Sequence, residues 1–263
     1  MNNDVWWVGF LAALILFQIV AIPGIILRRN DYADVIWGPA FPLSAFAAVL
    51  FGTENGFTGL SLRSVVLLIV ISVWAIRLFS HVGYRNIFKK TEDVRYNSWR
   101  KQWGAPALLR SWLQVFVLQP VLLYVFLLPV LLSLATAQVT TGPVFYFGLF
   151  VWVTGFLFEA LGDEQLRRFK SRSENKGQLM TQGLWSWSRH PNYFCEVVQW
   201  WGVWLMVLEL PEGWLTIFSP IGVTYLILKV SGVSILEDLM RKRPGFAAYE
   251  KRTSIFIPMP PKK

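Results

Sequence analysis

A bilayer core about 30 Å thick takes about 20 consecutive apolar residues to cross as a helix, and this chain carries such runs one after another. They fall near 5–27, 35–52, 62–83, 111–136, 143–162, 192–209 and 213–234. Seven spans within 263 residues leave no room for a second globular domain, so the expectation is one all-α membrane domain, 1–263. Composition agrees: 54% of the residues are hydrophobic, with 14 Trp and 20 Phe, more apolar surface than a soluble domain hides. The second run is the weakest, because Gly38-Pro39 and Pro42 interrupt it. The first residues, Met1-Asn2-Asn3-Asp4, lack the positive stretch of a cleavable signal, so the first span is expected to stay.

A net charge of +9 would point to nucleic acid in a soluble protein. Here topology accounts for it. With seven spans, the loops at 28–34, 84–110 and 163–190 and the tail share one side, and only Arg63 of the 25 Lys and Arg falls on the other. The rich side is then cytoplasmic, with the N-terminus outside and the C-terminus inside. Membrane lipid is an expected partner; nucleic acid is not, and no protein partner is required. The single Cys195 allows no internal disulfide and reads as a small buried hydrophobe.

Four segments carry polar chemistry. The run at 183–202 turns from basic to apolar and aromatic. Pro191 suits a first helical turn, and Asn192, Glu196 and Gln199 then share a face at spacings of four and three. Arg189 and His190 precede that helix, where free N–H groups and the positive dipole end favour an anion such as phosphate. The plainer alternative is an interfacial anchor before an ordinary span. The loop near 85–104 interleaves Tyr96, Trp99 and Trp103 with Arg95, Arg100 and Lys101. That pattern suits a lid over a nucleotide or an amphipathic helix lying on anionic lipid. At the end of the fifth span, Glu159, Asp163, Arg167 and Lys170 follow one helix face, as an ion-pair ladder or as a polar wall facing the Arg189-His190 turn. Past the last span come Glu237-Asp238, Tyr249 and an apolar ending at 255–258, expected to bury itself as a clamp.

The motifs Glu92-Asp93, Arg95-Tyr96, Trp103-Gly104, Gly183-Leu184-Trp185, Asn192-Tyr193-Phe194 and the tail at 252–258 resemble the membrane steroid 5α-reductase family. They are closest to its bacterial branch of unassigned function. The region at about 100–260 is similar to the C-terminal part of those reductases. Arg189-His190-Pro191-Asn192-Tyr193 is less specific, since isoprenylcysteine and phospholipid methyltransferases carry a similar turn. The resemblance implies NADPH held in the cytoplasmic half of the bundle by Asp163, Arg167 and Lys170, by Asn192, Tyr193 and Glu196, and by the tail from Glu237 on. Glu159, Arg189, His190, Tyr249 and Arg252 join that candidate cofactor set. Glu159 stands where the reductases have an amide, Lys170 where they have Arg, and Cys195 where they have Gly. The five cations Arg167, Arg168, Lys170, Arg189 and Arg252 can meet three phosphate groups. No glycine-rich fingerprint follows a strand pattern, so a Rossmann domain is not expected. No metal ligands are assigned.

In the same family an acid on the second span and a tyrosine on the third contact the substrate carbonyl. Here the second offers Asp31 and Asp34, and the third offers Arg77, His81 and Tyr84. Asp34, His81 and Tyr84 are the candidate proton donors. The expected activity is NADPH-dependent reduction of an activated C=C bond in a lipophilic, steroid-like enone that enters from the bilayer. The resemblance to bacterial proteins points to an inner membrane, with the cofactor facing the cytoplasm. S-adenosylmethionine-dependent methylation of an isoprenoid thiol or lipid is the enzymatic alternative. That family's paired glutamates would align with Glu237-Asp238. A non-catalytic lipid-binding protein is the third reading.

Overall fold

The computed structural model of the protein describes residues 3–83, 91–136 and 140–262. Among these residues the fold is helical without strands, apart from one isolated parallel bridge between Ser188 and Ser254. In chain order the helices are α1 (Asp4–Ile26), α2 (Tyr32–Gly52), α3 (Leu62–Gly83), α4 (Val94–Trp103), α5 (Ala107–Ala135), α6 (Pro143–Ser171), α7 (Pro191–Val207), α8 (Gly213–Met240) and α9 (Phe246–Arg252). Six of them, α1, α2, α3, α5, α6 and α8, are long and apolar enough to cross a membrane. This is a multi-pass membrane protein by the length and composition of its helices. The run expected near 192–209 is α7, whose 17 residues give about 25 Å at about 1.5 Å per residue.

The chain divides into two compact units. Unit 1 holds residues 1–142 and 207–216, and so contains α1 to α5. Its core gathers around Trp37, which meets Phe17, Phe41 and Phe126 edge-on at centroid distances of 5.7 to 6.3 Å. Pro39 and Pro42 do not break α2, because the helix is held by a continuous buried face that includes Gly38, Phe41, Ala45 and Val49. The opposite side of α1 bares Leu11, Ile15, Ile19, Ile22 and Ile26, each at least 52% exposed. Their spacing of three and four makes one apolar stripe, stable only against lipid. Arg63 is buried and bonds Glu209 Oε2 at 3.0 Å, an oxygen that also accepts from the Gly142 N–H.

α1 ends on a tight cap. The N–H of Arg29 bonds the Gly24 carbonyl at 2.7 Å, the N–H of Arg28 bonds that of Ile25, and Arg28 between them has φ +53°. Helices often close this way, with glycine at the left-handed position because a Cβ there costs about 1–2 kcal/mol. This chain places an arginine there.

Unit 2 holds residues 143–206 and 217–263. In it α6 and α7 touch backbone to backbone. A Cβ added at Gly155 would lie 2.9 Å from the Cys195 carbonyl, one at Gly148 2.7 Å from the Met206 nitrogen, and one at Gly202 2.7 Å from the Trp152 nitrogen. Small residues are what allow membrane helices to approach this closely, and Cys195 is buried in the same contact. α6 runs on to Ser171, past the expected end near 162. The tail differs from its expectation. Ile255 and Ile257 are 46% and 62% exposed instead of forming a buried clamp. The tail is held by its backbone and by alternate residues. Ser254 O accepts from Arg189 N at 2.8 Å, Phe256 O from Ser188 Oγ at 2.7 Å, and Trp187 O takes the N–H of Met259 at 3.0 Å. In an extended segment successive side chains point to opposite faces, so docking half-buries Ser254 and Phe256 while turning Ile255 and Ile257 outward.

Candidate functional site

The polar chemistry of unit 1 converges on Asp34, in the first turn of α2. Asp93 caps α4 by accepting from the N–H of Arg95 at 2.9 Å. That fixes the next two side chains, and both reach Asp34. The Tyr96 hydroxyl donates to Asp34 Oδ1 at 2.6 Å, and Arg95 donates to Oδ2 at 2.8 Å while also bonding Asp93 at 3.0 Å. Gln119 on α5 donates to the Tyr96 oxygen at 3.4 Å. Tyr96 is only 3% exposed. Its burial, and then the adjacent Asp34 carboxylate, hold the phenol well above its usual range, so it keeps its proton. Burial pulls the Arg95 guanidinium down, but Asp34, Tyr96 and Asp93 outweigh that and raise it, so it stays charged. The result is a neutral phenol on a short bond to a carboxylate with a fixed cation behind it, an arrangement that can present a hydroxyl donor to developing negative charge.

The start of α4 is pinned by a second tier of bonds. Arg29 grips Asp31 at 2.8 and 3.0 Å, and Asp31 accepts from the N–H of Asp93 at 3.1 Å. Glu92 accepts from the N–H of Asn30 at 2.9 Å and pairs with Arg100. Asp31 is therefore a brace, and Asp34 is the acid with a phenol partner. Of the other expected donors, His81 is exposed in the last turn of α3, and Tyr84 lies outside the described residues. Sequence reading placed the phenol on the third span. Tyr96 stands in the Arg95-Tyr96 motif, and the bond from the Asp93 N–H to Asp31 sets the start of α4 where Tyr96 reaches Asp34.

Unit 2 holds a second cluster, at the turn before α7. Arg189, 4% exposed, bonds Glu237 through Nε at 3.0 Å and through Nη2 at 2.6 Å, while Nη1 reaches the carbonyls of Thr253 at 2.8 Å and Glu250 at 3.2 Å. His190 Nε2 lies 2.9 Å from Glu237 Oε1, the oxygen that also accepts from Arg189 Nε. Burial lowers the His190 pKa, only partly offset by Glu237, so the ring is neutral. Tyr249 is 3% exposed and its hydroxyl donates to the Trp185 carbonyl; burial raises its pKa. These side chains join α8, α9 and the tail to the turn. The donors of Arg189, expected to face a phosphate, are spent on protein acceptors.

The remaining candidates line α6 and α7. Asn192 donates to Asp163 Oδ1 at 3.0 Å, and Gln199 donates to Glu159 Oε2 at 2.7 Å. The ladder along α6 is different from the one expected: Arg167 and Arg168 both bond Glu164, at 2.6 Å each, and Asp163 and Glu159 turn across to α7. Tyr193 stacks on the His190 ring at 6.0 Å and Glu196 is half-buried. Lys170 and Arg252 are exposed. The Gln199 Oε1 atom is buried with no hydrogen-bond partner among the described residues.

No solved structure matches the chain. An uncharacterised protein of Schizosaccharomyces pombe is 24% identical over 284 residues, covering 98% of this chain and 80% of the relative. A family model described as "Protein of unknown function (DUF1295)" matches residues 21–253. The chain therefore belongs to that family, which includes steroid 5α-reductase-like proteins.

Proposed function

We propose that this protein is an NADPH-dependent membrane reductase of an activated C=C bond in a lipophilic, enone-like substrate. The observation that carries the reading is the buried Tyr96 phenol, 2.6 Å from Asp34 with Arg95 behind it. Conjugate reduction puts negative charge on the enone oxygen, and a neutral, buried phenol is a donor matched to that charge. In the resting site the Tyr96 O–H is donated to Asp34; with substrate bound that O–H would swing from Asp34 to the enone oxygen and give up its proton there, with the Arg95 guanidinium offsetting the phenolate left behind. The bound NADPH would supply the hydride.

The residues of unit 2 suit such a cofactor. Asp163, Asn192 and Glu159 offer acceptors and an amide for riboses, and the unpartnered Gln199 Oε1 is the acceptor a carboxamide NH₂ would fill. Lys170 and Arg252, both exposed, would take phosphate charge, with Arg167 as a third cation once it releases Glu164. Arg189, His190, Glu237 and Tyr249 then hold the tail in place rather than touch the cofactor, and Tyr193 and Glu196 belong to the wall beside them. In this reading α7 is the seventh crossing, and the cation-rich side is cytoplasmic.

The test is direct. Purified protein is denatured and its retained small molecules are identified by mass spectrometry, and NADPH oxidation is followed with a panel of lipophilic enones. Retained NADP(H) and enone-dependent oxidation are expected. A retained S-adenosyl compound, or no oxidation with any enone together with no NADP(H), would contradict the reading.

A further inference from the structure

Beside the end of α1 lies an open cleft of about 500 Å³, entirely within unit 1. Four of its lining residues are cations: Arg28, Arg29, Arg100 and Lys101. Two of these are already committed. Arg29 grips Asp31 at 2.8 Å, and Arg100 is spent on Glu92 and on the Arg28 carbonyl, the latter at 2.9 Å. Among the described residues Arg28 and Lys101 carry no ion pair, and both are exposed. Two unpaired cations in a concave, partly braced pocket are an anion site.

Arg28 makes the case stronger. Its backbone occupies the left-handed cap position, φ +53°, where glycine would sit without strain. A chain that places arginine there accepts strain to set a guanidinium at the rim.

The apolar stripe identifies the source of the anion. Leu11, Ile15, Ile19, Ile22 and Ile26 run up one face of α1, exposed from 52% to 73%, and Leu27 carries the stripe into the cleft at 58%. An acyl chain lying along that stripe ends where Arg28 begins, one helix end past the hydrocarbon. A soluble phosphate would need the cations but not the stripe. The volume is roughly that of 17 water molecules at about 30 Å³ each, room for a headgroup rather than a lone ion.

We infer that this cleft binds the phosphate headgroup of an anionic phospholipid, with Arg28 and Lys101 as the phosphate ligands and α1 as the acyl-chain bed. This is independent of the reductase reading. Basic pockets at the ends of membrane helices are where such headgroups are held.

The full-length protein in a neutral detergent is titrated with phosphatidylglycerol or with phosphatidylcholine of the same chains, and thermal stability and lipid retention by native mass spectrometry are read. Phosphatidylglycerol is expected to stabilise and be retained in preference. In the Arg28→Gly, Lys101→Ala double variant that preference should fall at least about tenfold, as loss of charge-assisted contacts implies. Arg28→Gly relieves strain, so the variant folds at least as well as the parent, and its baseline melting temperature verifies this. Inorganic phosphate and NADP⁺ form the third arm. Equal response to the two lipids, a preference that survives in the double variant, or Arg28-dependent stabilisation by either soluble phosphate without lipid would overturn the inference.

Discussion

The Arg95–Asp34 cluster of unit 1 and the Arg189–Glu237 cluster of unit 2 differ in what is left over. In unit 2 all three nitrogens of Arg189 are engaged: Nε and Nη2 on Glu237, and Nη1 on the carbonyls of Glu250 and Thr253. Glu237 is in turn bracketed by His190. Such a cluster is closed. It ties the tail to the turn before α7. In unit 1, Arg95 and Asp34 leave a phenol on the pair, with a protonated hydroxyl and only a 3.4 Å contact from Gln119 behind it. Saturation reads as structure, and an exchangeable proton held on a charged frame reads as chemistry. The same residue types thus take opposite roles according to how many bonds surround them.

That contrast can be broken by mutation. In unit 1, Tyr96→Phe and Asp34→Asn should each lower the enone reduction rate by about 10²- to 10⁴-fold, with NADPH affinity and melting temperature changing little. Steady-state and binding measurements on the two variants check this, and a full rate in both would remove the chemistry from unit 1. In unit 2 the effect should be on folding. Arg189→Ala strands a buried carboxylate and should cost about 3–5 kcal/mol, read as a lowered melting temperature and early proteolysis of the tail. The paired change Arg189→Met with Glu237→Leu should recover much of that stability, because it removes both charges. A tail that stays protected in Arg189→Ala would show that the cluster does not hold it.

A smaller effect tests the α6–α7 contact that carries Asp163 and Asn192. Gly155→Leu forces a side chain into the Cys195 carbonyl, 2.9 Å from where its Cβ would stand, and should cost about 1–3 kcal/mol. The smallest effect is in pH. His190 is held neutral in the folded state, below its ordinary pKa, so the unfolded chain binds more protons as pH falls. Stability is full above about pH 6.5 and declines below it, and His190→Gln should flatten that decline. An identical pH profile in the variant would contradict it.

Much of the fold was readable because it is written in length and hydropathy. Six of the seven apolar runs form helices long and apolar enough to cross, and the run near 192–209 forms the 17-residue α7. The tail was misread for a reason of period. Ile255-Phe256-Ile257 looked like a buried block, but an extended segment buries alternate residues. Arg189 and His190 were read from their place before a helix N-terminus, which is a local signal. Their partner Glu237 stands 48 positions away from Arg189, and no local pattern announces it. Asp34 stands out by its chemistry at the start of a span, but no local pattern announces that Tyr96, 62 positions on, meets it.

The central claim is that Asp34 and Tyr96 act as one proton-donating unit. A double-mutant cycle on the NADPH-dependent reduction rate, with Asp34→Asn, Tyr96→Phe and the combined variant, tests it most directly. Groups that act together are strongly non-additive. The account predicts that the combined variant is no slower than about the slower single one. Rate losses that multiply, each change costing the same in the presence or absence of the other, would contradict it.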